Sequence, residues 1–339
     1  MKKFLSILLC ATLLISTLLL FGCGDKKNNS EETSAPAAEE ATLKLGLGVY
    51  TAVSATNATD DKNGNGQATT TAAAVLVDND GKIVKAFVDC ADSKVAYTNE
   101  GKAVANESFK TKYESGNDYN MKAYGGAAKE WYEQADAFCA LIVGKTATEV
   151  KALVAENNKG TEDVINAGCT ILINEFAKAV DKAIANAVES NATAKDTIKL
   201  GVSTNQTTAD ATEDKAGYNQ VETTFFAAAV NAEGKVVAAA SDCVQVKFTF
   251  DNKGASTFDA TKAVSSKKEA GDNYGMKAYG GAAKEWYEQV SAFDAACVGK
   301  TVTEIKALMG ADNKGVADIQ SAGCTILVDG FVKAASKIG

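Results

Sequence analysis

MKAYGGAAKEWYEQ occupies residues 121–134 and recurs without a single change at 276–289. Flanking stretches extend the match into a duplication. LKLG at 43–46 is answered by IKLG at 198–201, GKTATEVKAL at 144–153 by GKTVTEIKAL at 299–308, and AGCTIL at 167–172 by AGCTIL at 322–327. The offset reads 155 at LKLG, 153 at the DGKI and EGKV turns starting at Asp80 and Glu233, and 155 again from Gly116 and Gly271 onward. On this alignment two small changes of loop length cancel. Solenoid units run to ~20–50 residues; a period this long has the size of a domain.

Each copy opens with strand patterns and closes with helical ones. Residues 43–55 are rich in β-branched residues and glycine, and 67–77 (QATTTAAAVLV) reads as a second strand. Asp78-Asn79-Asp80-Gly81 is a hairpin turn signal, and 82–89 alternates as the returning strand. A fourth strand is expected at 94–98, before the Asn99-Glu100-Gly101 turn. The second copy repeats this order at 221–230, 235–240 and 246–250. Helical spacing follows at 125–143 and 171–187. Thr146 and Glu149 have the spacing of a capping box. The expected fold class is α+β: two tandem homologous domains, each an antiparallel sheet followed by helices packed on it. The boundaries read as 1–22 signal peptide, 23–42 tether, 43–187 first repeat, 188–197 linker and 198–339 second repeat. Each repeat is long enough to hold its own core.

The first residues have the layout of a secretory signal. Lys2 and Lys3 precede an uncharged apolar run at 4–20, and Leu20-Phe21-Gly22-Cys23 forms a lipobox-like end. Lipidation at Cys23 is expected, with membrane lipid as a partner through that residue. This places the protein on the outer face of the cytoplasmic membrane. The small, polar stretch after it holds the chain's only proline, Pro36, and reads as a flexible tether.

Composition removes several functions. The chain has 35 Lys plus Arg against 43 Asp plus Glu, so no basic footprint for nucleic acid is present. It contains no histidine and no arginine. A Ser-His-Asp or Cys-His pair and a histidine metal site are therefore excluded, and no metal ligand set is assigned. No paired-carboxylate spacing points to a hydrolase. Asp61-Lys62-Asn63-Gly64-Asn65-Gly66 has the start of a calcium loop but meets Ala72 where the twelfth-position carboxylate belongs, and reads as a hairpin turn.

Six cysteines remain beyond Cys10 and Cys23: Cys90, Cys139, Cys169, Cys243, Cys297 and Cys324. None stands in a CxxC pair. They read first as small buried apolar residues. If bridges form, Cys90–Cys169 and Cys243–Cys324 are the expected pairs.

Two features carry candidate chemistry. Trp131-Tyr132 and Trp286-Tyr287 lie in the identical segment, where helical spacing suits a core and an aromatic pair suits a planar ring. Ala167-Gly168-Cys169-Thr170 and its twin Ala322-Gly323-Cys324-Thr325 set a hydroxyl after a glycine turn, ahead of an amphipathic helix. That arrangement reads first as an N-cap, and otherwise as a seat for an anion at a helix N-terminus.

The order of these motifs resembles the bacterial FMN-binding domain of Rnf and Na+-pumping quinone reductase complexes and of electron-transfer lipoproteins. The residues that carry it are Asp78 through Ile83, Trp131 through Gly144-Lys145-Thr146, and Asp163 through Thr170. In the second copy they are Trp286, Gly299-Lys300-Thr301 and Asp318 through Thr325. The resemblance implies FMN joined by a phosphoester to Thr170 and Thr325, with Gly168, Cys169, Gly323 and Cys324 around the attachment. It implies Lys145 and Lys300 at the phosphate, Trp131 and Trp286 beside the ring, and a membrane oxidoreductase as redox partner. The sequence departs from the pattern: alanine stands at 167 and 322 for a hydroxyl residue, cysteine at 169 and 324 for alanine, and the aspartate is one residue too far upstream. The implied function is a membrane-anchored extracytoplasmic flavin electron carrier with no dedicated substrate. The alternative is a flavin-free surface lipoprotein with a binding or structural role on the same scaffold.

Replacing Cys23 by alanine is expected to release the protein into the medium or stall its processing. Fractionation of the native host measures this, and unchanged membrane retention would refute lipidation.

Overall fold

Alternating apolar residues on three long strands in each copy set the architecture. The computed structural model describes residues 41–339; the signal and Cys23 lie outside the described residues. In the first copy β1 (Leu43–Thr56), β2 (Gly64–Val77) and β3 (Ile83–Tyr97) form an antiparallel meander. The two-residue β4 (Ala103–Val104) pairs beyond β3, and β5 (Val188–Ala192) pairs beyond β1. The stretch read as a linker thus supplies an edge strand of the first sheet. Six helices lie between β4 and β5: α1 (Lys112–Ser115), α2 (Met121–Gly125), α3 (Trp131–Ile142), α4 (Ala147–Lys151), α5 (Glu162–Ala167) and α6 (Asn174–Ala185).

The second copy repeats the meander in β6 (Thr197–Ala209), β7 (Gly217–Val230) and β8 (Val236–Phe250). Its helices are α7 (Lys267–Ala270), α8 (Trp286–Cys297), α9 (Val302–Lys306), α10 (Ala317–Ser321) and α11 (Asp329–Ala335). The fold is α+β. The fourth strand expected at 94–98 is the end of β3, which runs unbroken against β2.

Each sheet is buried on both faces. One face of the first sheet carries Val75, Val77, Val88 and Cys90 against Phe138, Phe176 and Val180 of its own helices. The other carries Leu45, Leu47, Val49, Leu76 and Val95, which share one apolar cluster with Leu200, Val202, Phe225, Val244 and Phe248 of the second sheet. The second sheet's remaining face meets α8 and α11 through Phe226, Val236, Phe293 and Phe331. The result is four layers, helix–sheet–sheet–helix, with three apolar seams. Each copy encloses its own sheet-to-helix core, and the two copies share the middle one.

The strand register corrects the alignment read from LKLG and IKLG. The buried hydroxyl pair Thr51–Thr70 at 3.0 Å corresponds to Thr204–Thr223 at 3.0 Å, an offset of 153 on both strands. Gly48 and Gly201 agree: a Cβ there would lie 2.3 Å from the Ala179 carbonyl oxygen and 1.9 Å from that of Ala334. Only glycine lets the helix backbone approach the strand so closely. Leu45-Gly46-Leu47-Gly48 is therefore the partner of Ile198-Lys199-Leu200-Gly201. A single two-residue change, between the Gly101/Gly254 turns and the caps Thr111/Ser266, separates the 153 offset of the strands from the 155 offset of the helices.

With that register the contacts between copies become symmetric. The Ala58 N–H donates to the Gly254 carbonyl and the Ala211 N–H to the Gly101 carbonyl, both at 2.8 Å. Lys182 pairs with Glu269 at 2.5 Å, and its equivalent Lys337 with Glu114 at 2.6 Å. Tyr97 and Phe250, one equivalent position, stack on each other with ring centroids 4.3 Å apart and planes 9° apart. A residue that meets its own equivalent marks a two-fold axis, so the chain is built as an internal pseudo-dimer. No helix among the described residues is long and apolar enough to cross a membrane.

Expressed alone, residues 41–192 would leave the Leu45, Leu47, Val49 face without its cover. Such a fragment is expected to self-associate through that face. Analytical ultracentrifugation checks this, and a well-folded monomer would contradict it.

Candidate functional site

The identical segment is held by one bonding pattern in both copies. Glu130 caps α3, and its buried carboxylate accepts from the N–H of Met121 at 2.8 Å and of Lys122 at 3.3 Å. Glu285 does the same for Met276 and Lys277. Gln134 is 1 % exposed. Its amide donates to the Lys129 carbonyl, and its Oε1 accepts from the Thr170 N–H at 2.8 Å and the Thr170 hydroxyl at 3.0 Å. Gln289 holds Thr325 identically, at 2.9 and 3.0 Å.

Thr170 is exposed but does not open the final helix. α6 starts at Asn174, and Thr170 belongs to the turn between α5 and α6. The N-cap role expected for both threonines gives way to a side-chain bond with a glutamine distant in sequence. Gly168 and Gly323 have φ of 100° and 102°, which favours glycine. The Lys129 and Lys284 side chains lie against these two glycines, and Lys284 Nζ donates to the Ala322 carbonyl at 3.0 Å.

Lys145 and Lys300 stand elsewhere. Their backbone pairs with Ile83 and Val236 at the start of β3 and β8. Lys145 lies beyond the C-terminal end of α3, whereas Gln134 is in its first turn, eight residues and about 12 Å along the helix from Ile142. The lysine beside each AGCT turn is thus Lys129 or Lys284, not Lys145 or Lys300. Cys169 and Cys324 point into the core, fully buried. All six described cysteines are free, so the bridges Cys90–Cys169 and Cys243–Cys324 do not form. Burial pushes the Cys169 and Cys324 thiols up to about 11 and those of Cys90 and Cys139 up to about 12. Each serves as a small apolar filler. Trp131 is buried edge-on against Phe176 and presents no free face.

Open space is found in more than one place: a groove of about 460 Å³ runs between β1 and β5 of the first copy and β8 of the second, and a polar-floored cleft lies within the second copy. That cleft, of about 440 Å³, sits where the helix layer ends and β6, β7 and β8 run on. Its floor is the helix-side face of the sheet: Asn205, Glu222 and Gln245 form one cross-strand row, with Thr207 and Gln220 beside it. Its wall holds Tyr274, Met276, Trp286 and Leu327. Lys267 of α7, 8 % exposed, enters between them, ion-paired to Glu222 at 2.8 Å. Its ammonium lies over the rings of Tyr274 at 5.4 Å and Trp286 at 5.7 Å. Burial opposes that charge, and the Glu222 carboxylate against it favours it. The buried Cys243 thiol stays protonated and donates to Glu222 at 3.4 Å.

The first copy fills the same place with its own side chains. Glu175 stands where the second copy has Gly330, and its carboxylate accepts from the Thr71 hydroxyl at 3.3 Å. Tyr50 stands where the second copy has Ser203, held by Lys178 Nζ at 3.1 Å. Asp92, the partner of Gln245, gathers Gln67 at 2.7 Å and Thr69 at 3.0 Å. The side chains of Asn205, Thr207, Gln220 and Gln245 make no such bonds among the described residues. These cleft residues were missed from sequence. The signal was present as Glu175 against Gly330 and Thr69 against Glu222, but on the strands it appears only in the 153 register.

Helix α7 is aimed by a buried carboxylate. Asp242 accepts from the backbone N–H of Lys268 at 3.1 Å and of Cys243 at 2.7 Å, as Asp89 does from Tyr113 and Cys90 at the base of α1. Burial raises both carboxyls to about 6 despite these donors.

No family model, curated protein or solved structure matches this chain.

The raised carboxyls make a pH prediction. A carboxyl near 6 when folded and near 3.9 when unfolded binds more protons in the folded state across that window. Its contribution is full below about pH 4, is lost as pH rises through about 6, and is flat above. Asp242→Asn keeps an acceptor for both N–H groups and removes the titration. Its stability relative to wild type should improve by on the order of 3 kcal/mol between pH 4 and pH 7, as read by urea unfolding. A difference independent of pH would contradict the assignment.

Proposed function

We propose that this chain is a lipoprotein of the cell envelope, anchored through Cys23, that binds one small molecule in the cleft of its second copy. The observation that carries this reading is the asymmetry of the duplicated scaffold. One copy saturates its strand floor and plugs the space with Tyr50 and Glu175; the other has Gly330 at the cleft and Ser203 in the strand row of the cleft-lining Thr224, and leaves its floor groups facing solvent. The volume is at the lower end of small-molecule sites. Binding is favoured over catalysis because most of the floor consists of amides and hydroxyls, which do not exchange protons at neutral pH. The ionisable pair, Lys267 and Glu222, is tied to itself.

A second reading, the flavin carrier, is supported by Thr325. The residue is exposed, Lys284 stands beside Gly323, and Ile326 and Leu327 line the cleft. An FMN phosphoester would be carried by Thr325, whose oxygen would give up its proton and its bond to Gln289 while the Thr325 N–H still donates to Gln289 Oε1, and Lys284 would offset its charge. When bound, the flavin would supply one- or two-electron transfer, exchanged with a membrane oxidoreductase. In the first copy Thr170 has no open cleft of this kind to follow it. Intact mass of the protein from its native host separates the two readings, because covalent flavin adds mass and a visible absorbance.

Grafting the first copy's plug onto the second tests the main proposal. Ser203→Tyr with Gly330→Glu should keep the fold, since the first copy already accommodates both side chains. Ligand released by denaturing the native-host protein should be present in wild type and absent from the variant. Added back at a hundredfold excess over its Kd, it should stabilise wild type alone by about 2.7 kcal/mol. Equal ligand content in both proteins would refute the site.

A further inference from the structure

From the chemistry of the cleft we infer that its ligand is a neutral, polyhydroxylated ring of mono- or disaccharide size. This rests on the binding reading above and concerns the class of ligand. Charge comes first. Lys267 is neutralised by Glu222 at 2.8 Å, and Asp329 at the rim by Lys333 at 3.0 Å. The chain has no arginine, so no guanidinium fork is available for a carboxylate or phosphate. The cleft presents balanced charge, and an ionic ligand would have to break one of these pairs.

Hydrogen-bonding capacity comes second. Asn205, Gln220 and Gln245 each offer a carbonyl acceptor and two amide donors; Thr207 adds a hydroxyl. Directly opposite residues on neighbouring strands have Cβ atoms about 4.5–5.5 Å apart. The floor is therefore a grid in which donors and acceptors alternate at close spacing. Vicinal hydroxyls, each donor and acceptor at once, match such a grid. In the first copy the corresponding demand is met internally, with Gln67 and Thr69 both turned to Asp92. The second copy replaces Asp92 with Gln245 and Thr69 with Glu222, which leaves those capacities for a guest.

The wall completes the match. Leu327 is 57 % exposed and Tyr274 38 %, while Trp286 is only 4 % exposed. The wall offers apolar edges to the C–H faces of a saturated ring. It offers no broad aromatic plane on which a nucleobase or another flat heterocycle would stack.

The test uses the mature full-length protein and titration calorimetry against glucose, galactose, mannose, N-acetylglucosamine, maltose and cellobiose. Glucose 6-phosphate, glucuronate and glucosamine serve as charged counterparts. At least one neutral sugar should bind one-to-one, with an affinity that changes less than twofold between 50 and 500 mM salt. Gln245→Ala and Gln220→Ala should each weaken it at least tenfold, and Ser203→Tyr with Gly330→Glu should abolish it. A charged counterpart that binds more tightly than every neutral sugar, or strong salt dependence, would overturn the ligand class. If the plug variant also abolished that binding, the cleft would stand. Absence of binding by the whole sugar panel overturns the class too, and the ligand content of the native-host protein then decides the site separately.

Discussion

The face-to-face packing of the two sheets is the constraint on which the rest of the molecule depends. Each sheet has one face covered by its own helices and a second face that only its twin covers. Fully burying a Leu, Val or Phe contributes about 1.5–3 kcal/mol, and the middle seam gathers such residues from both copies. Tyr97 against Phe250 places the pseudo-two-fold axis at one end of this seam. Joining both halves in one chain makes the association intramolecular, so it does not depend on protein concentration. The register follows from the same seam. The Thr51–Thr70 and Thr204–Thr223 pairs close at 3.0 Å only in the 153 offset.

A symmetric frame makes differences between the halves informative. Where both copies serve the frame they agree closely: Gln134 and Gln289 hold Thr170 and Thr325 with bonds that match to about 0.1 Å. The identity of the fourteen-residue segment has a structural cause in its Met, Glu, Trp and Gln positions. It does not explain Tyr124 and Tyr279, which are 89 % and 92 % exposed. The copies part at the open end of the sheets. Tyr50 and Glu175 oppose Ser203 and Gly330, and there one half is closed and the other open.

Local signals were legible in the sequence; distant partnerships were not. The Thr146–Glu149 capping box forms as read, because its partners are three residues apart. The hairpin turn at Asp78 closes β2 onto β3, with the Asp78 carboxylate accepting from the Asp80 and Lys82 N–H groups. The helical stripes at 125–143 and 171–187 exist, but α3 begins only at Trp131, where Glu130 caps it, and α6 only at Asn174. Thr170 misled because its partner, Gln134, lies 36 residues away, and an N-cap is judged from its own neighbours. The middle seam had a trace in the run Ala72-Ala73-Ala74-Val75-Leu76-Val77, which is apolar on both faces as doubly covered strands are. The cleft had none of that kind. Asn205, Gln220 and Gln245 read as the ordinary polar ends of strands until the sheet places them in adjoining rows.

Saturation and openness are alternative uses of one scaffold, and the duplication lets the chain have both. A floor whose amides bond to each other, as Gln67 does to Asp92, adds stability and leaves nothing for a guest. A floor that faces water gives up those bonds but keeps donors and acceptors that a ligand can take over from solvent. In an unduplicated protein the same residues would have to answer both demands. Here the closed half and the open half share the middle seam, so unfolding of the open half exposes the apolar face of the closed one. The stability of Tyr50, Glu175 and Asp92 in the first copy is thereby coupled to the second. Through that coupling the second copy can carry solvent-facing floor groups and a glycine at 330 without unfolding on its own.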